Sequence, residues 1–338
     1  MILNLLRMPR RGRRGGMRLK MLILVVGVLL VMGLINEMFG SGDAAYKYHE
    51  NNHHQHQHNH EYGNCTTCGM FIGDGLVTVT FLDVGQGDSI VIQAYDSVML
   101  IDAGLGRYAY RIVSYLKDNE ISYIDVVVAT HPHADHIGGM PAIFDAFDIG
   151  IIYKPNIAHT TLTFERFINS IEYHQIPVHF TTAGDYFILD DIFFKVVAPN
   201  RGYASLNDMS VVIHMQHGYN RFLFAADAEY KSEMDMLAAG WDLRADVLGV
   251  GHHGSRTSTH PLFLEAVNPN FAVIQVGAGN QYGHPHNVVV NRFYSANIVT
   301  YRTDLDGIIR FYSDGYSLLH TTGLVGTKSP TCPYNQGR

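Results

Sequence analysis

Cysteine is scarce in this chain. Of 338 residues only Cys65, Cys68 and Cys332 are cysteines, too few for a fold built on disulfides. Cys65-Thr-Thr-Cys68 has the spacing of half a metal site, or of one disulfide that would leave Cys332 over. Charge is thin, at 16% against 47% hydrophobic residues, which leaves material for a substantial core in one large domain or two small ones. A basic excess is missing from most of the chain. Arg7, Arg10, Arg11, Arg13, Arg14, Arg18 and Lys20 face one acid, Glu37, in the first 40 residues, so 17 basic and 30 acidic residues follow. A protein that grips many DNA phosphates ordinarily shows a basic face. Here nucleic-acid contact would need a local patch or bound metal.

Long apolar runs are absent too, with one exception. Residues 21–35 are uncharged and almost wholly apolar, extended a little by Met38 and Phe39. The run is short for a membrane helix, and the basic block before it should stay cytoplasmic. It reads as a signal-anchor or as a signal peptide removed after export. No convincing small-x-small cleavage site stands near residues 36–45, which favours the anchor. Either reading puts the remainder outside the cytoplasm. The expected organisation is a basic cytoplasmic segment at 1–20, the membrane segment at 21–39, a disordered linker at 40–75, a folded domain at 76–322 and a tail at 323–338. The linker carries His53, His54, His56, His58 and His60 among Asn and Gln. Such a tract builds no core and reads as a polar spacer or as weak metal capture.

From Leu76 onward, short β-branched runs alternate with amphipathic stretches. Strands are expected near 76–82, 89–93, 98–101, 126–129 and 150–153, with helices at 107–118 and 161–174. Further strands follow at 177–180, 186–189 and 192–197, then a hairpin around His217–Asn220. A helix at 229–239, a strand at 245–250, a helix at 260–267, a strand at 271–276, a helix at 287–295 and three closing strands complete the domain. This mixture predicts sheets covered by helices, an α/β layered fold.

The chemistry concentrates in Thr130-His-Pro-His-Ala-Asp-His-Ile-Gly-Gly139, which follows the apolar run Ile124–Ala129. Three histidines and a carboxylate within six residues at a strand end suit metal ligation. His131 and His133 can point to one side and hold one ion, and Asp135 and His136 can hold a second. Two ions about 3.5–4 Å apart can clamp a phosphodiester. Other strand ends add groups. Asp227 follows Arg221–Ala226 and suits either a bridge between two metals or a helix N-cap. His252 and His253 follow Val247–Val250, one as a ligand and the other as a substrate contact or supporting group. Asp102 follows Met99–Ile101 and suits orientation of the metal loop. Ser255, Arg256, Thr257, Ser258 and Thr259 can cradle a phosphate. Asn207, Asp208, His284 and His286 stand in loops able to complete a site.

Taken together, Phe81–Ser89, Leu100–Gly104, Thr130–Gly139, Asn207–Ser210, Phe222–Glu229, Gly251–Ser258 and Asn280–His286 resemble the metallo-β-lactamase superfamily, and within it the hydrolase domain of the ComEC DNA-uptake family. The resemblance implies a four-layer αβ/βα sandwich with two divalent metal ions, zinc or else manganese, at one edge of two facing sheets. It matches His131, His133, Asp135, His136, Asp227 and one of His252 and His253 to the ligands. In the working assignment His252 is the ligand, and Asp135, His253 and Asp102 are the catalytic candidates. Asn207, Asp208, Ser255, Thr257, Ser258 and His284 are the substrate-binding candidates. Ala226 replaces the family's usual glycine, and Asn207-Asp208 stands where the superfamily's middle histidine falls. The channel region of ComEC proteins has no counterpart in the one apolar segment, so a separate channel protein becomes an expected partner.

The expected function is extracytoplasmic, metal-dependent phosphodiester hydrolysis, with DNA as substrate in uptake or scavenging. Two rivals stand beside it. One is a phosphodiesterase acting on a cell-envelope or phosphocholine-type ester. The other is a non-catalytic metal-binding surface protein worked by the histidine tract. β-Lactam hydrolysis fits the motifs less well.

Overall fold

A computed structural model describes residues 76–323, together with the backbone of a two-strand ladder, β1 (Gly63–Asn64) and β2 (Phe71–Ile72). The expected membrane segment, most of the histidine linker and the tail lie outside the described residues. No helix among the described residues is long and apolar enough to cross a membrane.

Two sheets face each other. The first holds β3 (Val77–Phe81), β4 (Ile90–Ala94), β5 (Ser97–Ile101), β6 (Tyr123–Val128), β7 (Asp148–Lys154), β8 (Val178–Phe180), β16 (Ile308–Ser313) and β17 (Leu318–Gly323), in the order β17-β16-β3-β4-β5-β6-β7-β8. The second holds β9 (Tyr186–Leu189), β10 (Ile192–Ala198), β11 (Val212–His217), β12 (Asn220–Phe224), β13 (Val247–Gly249), β14 (Phe271–Ile274) and β15 (Val299–Arg302), in the reverse of that sequence order. Each sheet is antiparallel on one side and parallel on the other. β5 through β8 run parallel, as do β12 through β15.

The period of two in each strand explains the layers. Val77, Val79 and Phe81 of β3, Ile90 and Ile92 of β4, and Met99 and Ile101 of β5 turn inward. There they meet Phe194, Ile213, Met215, Phe222 and Phe224 of the second sheet. The alternate residues Val91, Leu100 and Val127 turn outward onto the helices Ala109–Asp118, Met140–Phe144 and Leu162–His174. Val212, Leu223, Leu248 and Ala272 do the same on the far side, beneath the helices Tyr230–Ala238, Pro261–Val267 and Asn287–Ser295. Strands covered on both faces read as continuous apolar runs, as Val126-Val-Val128 does. The architecture is therefore α/β/β/α, the expected sandwich.

The parallel strands matter for function, because clefts form beyond their carboxyl ends. β5 ends at Asp102, β6 leads to His131, β12 to Asp227 and β13 to His252. Short backbone hydrogen bonds stitch these loops together. Asp88 N donates to Asp135 O at 3.1 Å, Ala103 N to His136 O at 2.7 Å and Gly139 N to Gly104 O at 3.0 Å. The two sheets are joined at the same end, where Val211 N donates to Thr130 O at 3.0 Å and Gln275 Nε2 to Ser89 O at 2.9 Å.

Gly139 is where the metal loop presses hardest on its neighbour, since a Cβ there would collide with the backbone oxygen of Ala103. Gly139→Ala should cost about 2 kcal/mol or more by overpacking, a fall in Tm of roughly 4–8 °C for a domain of this size. Gly202→Ala, whose added methyl meets nothing within 4 Å, should leave Tm within about 1 °C. Thermal unfolding followed by circular dichroism checks both.

Candidate metal centre

Asp102 fixes the metal loop. Its residue is fully buried in the left-handed conformation at φ 56°. One oxygen accepts from Thr130 N at 2.9 Å, and the other accepts from Thr130 Oγ1 at 2.6 Å and from His136 Nδ1 at 2.8 Å. With Nδ1 donating, His136 has only Nε2 left to face the cleft. His131 is set in a similar way. Its Nδ1 lies 3.2 Å from Thr130 Oγ1, whose proton is already given to Asp102, and 3.3 Å from Ser210 Oγ. That leaves His131 Nε2 pointing inward, 3.0 Å from His133 Nδ1.

Asp227 sits between the two halves. Oδ2 lies 3.5 Å from His131 Nε2 and 3.8 Å from His252 Nε2. Oδ1 lies 3.2 Å from His136 Nε2 and 3.6 Å from His253 Nε2. The N-cap alternative for Asp227 does not hold, because Glu229 occupies the cap position of the helix Tyr230–Ala238. Asp135 reaches the second half, with Oδ2 at 3.4 Å from His253 Nε2.

The two rings at 252–253 are set apart by backbone shape. Both residues are left-handed, at φ 50° and 53°, a strained arrangement of the kind that gathers at functional sites. The turn sends the two rings apart. His253 is buried and its Nδ1 donates to Gln275 O at 2.9 Å, with Asp88 Oδ1 at 3.2 Å, so Nε2 faces Asp135 and Asp227. His252 is partly exposed and touches Glu229 at 3.3 Å and Thr257 Oγ1 at 3.2 Å. Groups with convergent ligand atoms are His131–His136–Asp227, Asp135–His136–His253 and Asp88–Asp227–His253, with Asp88–Asp102–His136 behind them. His253 belongs to these groups; His252 and His133 do not, although His252 Nε2 stands 3.8 Å from Asp227 Oδ2 and His133 Nδ1 stands 3.0 Å from His131 Nε2.

The donor set fits divalent metal. His136 Nε2, Asp227 Oδ1 and His253 Nε2 are buried and converge, yet none makes a well-directed hydrogen bond, even across the 3.2 Å between His136 Nε2 and Asp227 Oδ1. Buried polar atoms left unsatisfied are costly and call for an explanation, an ion among them. The electrostatics agree. Burial alone would push His136 down, yet the carboxylates of Asp227 and Asp102 hold it well above the ordinary imidazole value. His253 is likewise held well above that value, against burial, by Asp227 and Asp88. Burial would raise Asp227, but the rings of His136 and His253 hold it well below the carboxylate range. Positive charge is what this centre demands.

The centre forms the floor of a cavity of about 390 Å³. Asn207 and His284 line it, along with Gln86, His159 and Tyr282. The other substrate-binding candidates are placed elsewhere. Asp208 accepts from Glu229 N and Ser232 N at 3.2 Å each, bracing a helix start. Ser258 Oγ donates to Ala228 O at 2.8 Å in the interior. Ser255 and Thr257 bond each other at 2.9 Å behind His252. The phosphate cradle expected of this loop does not form at the cleft: Ser255, Ser258 and Thr259 are buried, Arg256 and Thr257 are exposed, and none of the five lines the cavity. Asp88, Gln86, Gln275 and His159 were not singled out from sequence. Asp88 and Gln86 at least sit in a glycine-rich turn after a strand, a signal that could have found them.

A histidine–carboxylate cluster across the strand ends of an α/β/β/α sandwich defines a class, the sandwich metallohydrolases. The chain belongs to the metallo-beta-lactamase superfamily, whose profile matches residues 82–277. It is similar to "ComE operon protein 3" of Bacillus subtilis, 28% identical over 277 residues that cover 76% of this chain and 34% of that protein. It is also similar to "Competence protein ComA" of Neisseria gonorrhoeae, 30% identical over 236 residues, 69% of this chain and 32% of that one. The chain thus spans about a third of the length of these curated relatives. Among solved structures, the metallo-beta-lactamase fold protein YhfI from Bacillus subtilis aligns over 67% of this chain and 95% of its own, at 11% identity and a TM-score of 0.46.

His253→Ala should cut bound metal by about half and lower turnover at least about 100-fold, since it removes a convergent ligand. His252→Ala should keep the metal content of the wild type. Plasma mass spectrometry of the two purified variants, loaded in the same zinc buffer, separates them.

Proposed function

We propose that this metallohydrolase cleaves phosphodiesters, with DNA as substrate, outside the cytoplasm. The observation that carries the reading is the set of three buried, unpartnered atoms, His136 Nε2, Asp227 Oδ1 and His253 Nε2, aimed at one point beneath an open cavity. The names of the relatives, ComE operon protein 3 and Competence protein ComA, support DNA as the substrate. The apolar run at 21–35 supports attachment to the membrane with the hydrolase outside, and a separate channel protein is the proposed partner.

His131, His133 and Asp227 would hold one divalent ion, and Asp135, His136, His253 and Asp227 the other; zinc is the proposed metal at both positions, with manganese as the alternative. Such ions supply Lewis acidity and lower the pKa of water toward 7. The chain's own groups do the rest. Asp102 keeps His136 in one tautomer and one orientation. The Asp135 carboxyl is held below the usual range, against burial, by His253 and His136. It stays ionised and can accept a hydrogen bond from the attacking water. Asn207 Nδ2 and Gln86 Nε2 are donors on the cavity wall, suited to the non-bridging oxygens of a phosphate. Burial, with His253 and His252 alongside, pushes His284 down to about 4. It is neutral at pH 7 and can hydrogen-bond a substrate without adding charge.

A second reading keeps the chemistry and changes the substrate. A cavity of about 390 Å³ and the acidic balance after position 40 also suit a small envelope phosphodiester of the phosphocholine type.

The full-length chain, loaded with zinc or manganese, should cleave single-stranded DNA and bis-p-nitrophenyl phosphate. EDTA should abolish both, and His133→Ala should lower both at least about 100-fold. Cleavage of the small diester without DNA would move the assignment to envelope esters. No cleavage of either at full metal occupancy would overturn the hydrolase reading and favour metal binding as the function.

A further inference from the structure

The cavity above the metal centre does not end there. A second cavity of about 560 Å³ adjoins it, and the two share Gln86, Ala134, Asp135 and Tyr282 as wall residues. The far end is lined by Arg107, Tyr108 and Arg111, and by the loop Gly277–Tyr282. Three features mark it as a place for a ligand. Gln86 Nε2, at the junction, is buried with no hydrogen-bond partner, while Gln86 Oε1 is engaged by Gly277 N at 3.2 Å. Arg107 has no carboxylate partner among the described residues, and its guanidinium stands 4.9 Å from the Tyr108 ring centroid. The acids nearby are already matched, Asp83 by Arg111 at 2.9 Å and Asp304 by Arg302 at 2.7 Å. Tyr282 is 54% exposed, with one face stacked on His284 at 5.6 Å between centroids.

The loop that carries Tyr282 is held firmly. Asn280 Oδ1 accepts from Tyr282 N at 3.1 Å and His284 N at 3.0 Å, and Asn280 Nδ2 donates to Gly277 O at 3.0 Å. A fixed aromatic face, a free guanidinium and an orphan amide donor along one groove match a base, a phosphate and a backbone or base oxygen in turn. We propose that this groove is the subsite for the nucleotides flanking the scissile phosphate on a single strand, with Tyr282 stacking a base and Arg107 meeting the next phosphate. The inference rests on the phosphodiesterase reading of the centre. It also gives an acidic domain the local positive patch that its overall charge denies.

The test is binding of 5′-fluorescein-labelled decathymidylate to the zinc-loaded full-length chain, followed by anisotropy at several salt concentrations. Arg107→Glu and Tyr282→Ala are compared with the wild type and with Lys117→Glu, which makes the same charge change outside the groove. The basic residues 7–20 contribute equally to all four proteins. Expected is a Kd raised at least about tenfold by Arg107→Glu, with a salt slope shallower by about one. Tyr282→Ala should raise Kd by roughly 5- to 100-fold, and Lys117→Glu by less than about twofold. If Arg107→Glu behaves like Lys117→Glu and Tyr282→Ala binds like the wild type, the subsite is overturned. Hydrolysis of bis-p-nitrophenyl phosphate by the wild type, measured on the same preparation, separates the two claims. Loss of that activity with variant-sensitive binding intact would remove the hydrolase reading and leave the groove.

Discussion

Asp227 is a fully buried carboxylate whose ionic partners among the described residues are all imidazoles: His131, His136, His252 and His253. Much of the site's design follows from that. A buried charge without compensation is severely penalised. Here the compensation has to come from the histidine rings or from something they hold. Each ring is aimed by a bond on its other nitrogen. Asp102 takes His136, Thr130 and Ser210 flank His131, and Gln275 O takes His253. The protein therefore devotes a second tier of buried polar groups to keeping the Nε2 atoms of these rings aimed at the space around Asp227, a pattern suited to metal sites.

The sandwich makes this arrangement possible. Antiparallel strands at one side of each sheet give way to parallel strands at the other, and the carboxyl ends of β5, β6, β12 and β13 open toward the same edge. Residues far apart in sequence, such as Asp102, His136, Asp227 and His253, are thereby brought within a few ångströms without any one loop being long. Backbone bonds from Asp88 to Asp135 and from Val211 to Thr130 lock the loops against each other and against the opposite sheet.

Much of this was legible in the sequence, for physical reasons that differ by residue. Thr130–Gly139 stood out because polar ligands crowd directly after a buried β-branched run. Asp102 and Asp227 stood out by position at strand ends. The layers followed from strict alternation in runs such as Val77–Phe81. Which of His252 and His253 turns inward was not legible, because it depends on two consecutive left-handed residues that a sequence does not announce. Asp208 and Ser258 misled because an aspartate or serine that braces a helix looks, in sequence, like one that meets a substrate. Asp88 escaped notice as a neighbour of His253 because the contact spans 165 positions, and only the folded turn creates it. The adjoining groove was equally hidden, since Arg107 and Tyr282 come from opposite halves of the domain.

The central claim is that the unpartnered atoms around Asp227 form a two-metal centre. Anomalous diffraction from crystals grown with zinc, recorded on both sides of the zinc absorption edge, tests it most directly. Two anomalous peaks about 3.5–4 Å apart are expected, on either side of the Asp227 carboxylate, one by His131 and His133 and the other by Asp135, His136 and His253. A centre without anomalous density at saturating zinc, or zinc found only at the 53–60 histidine tract, would contradict it.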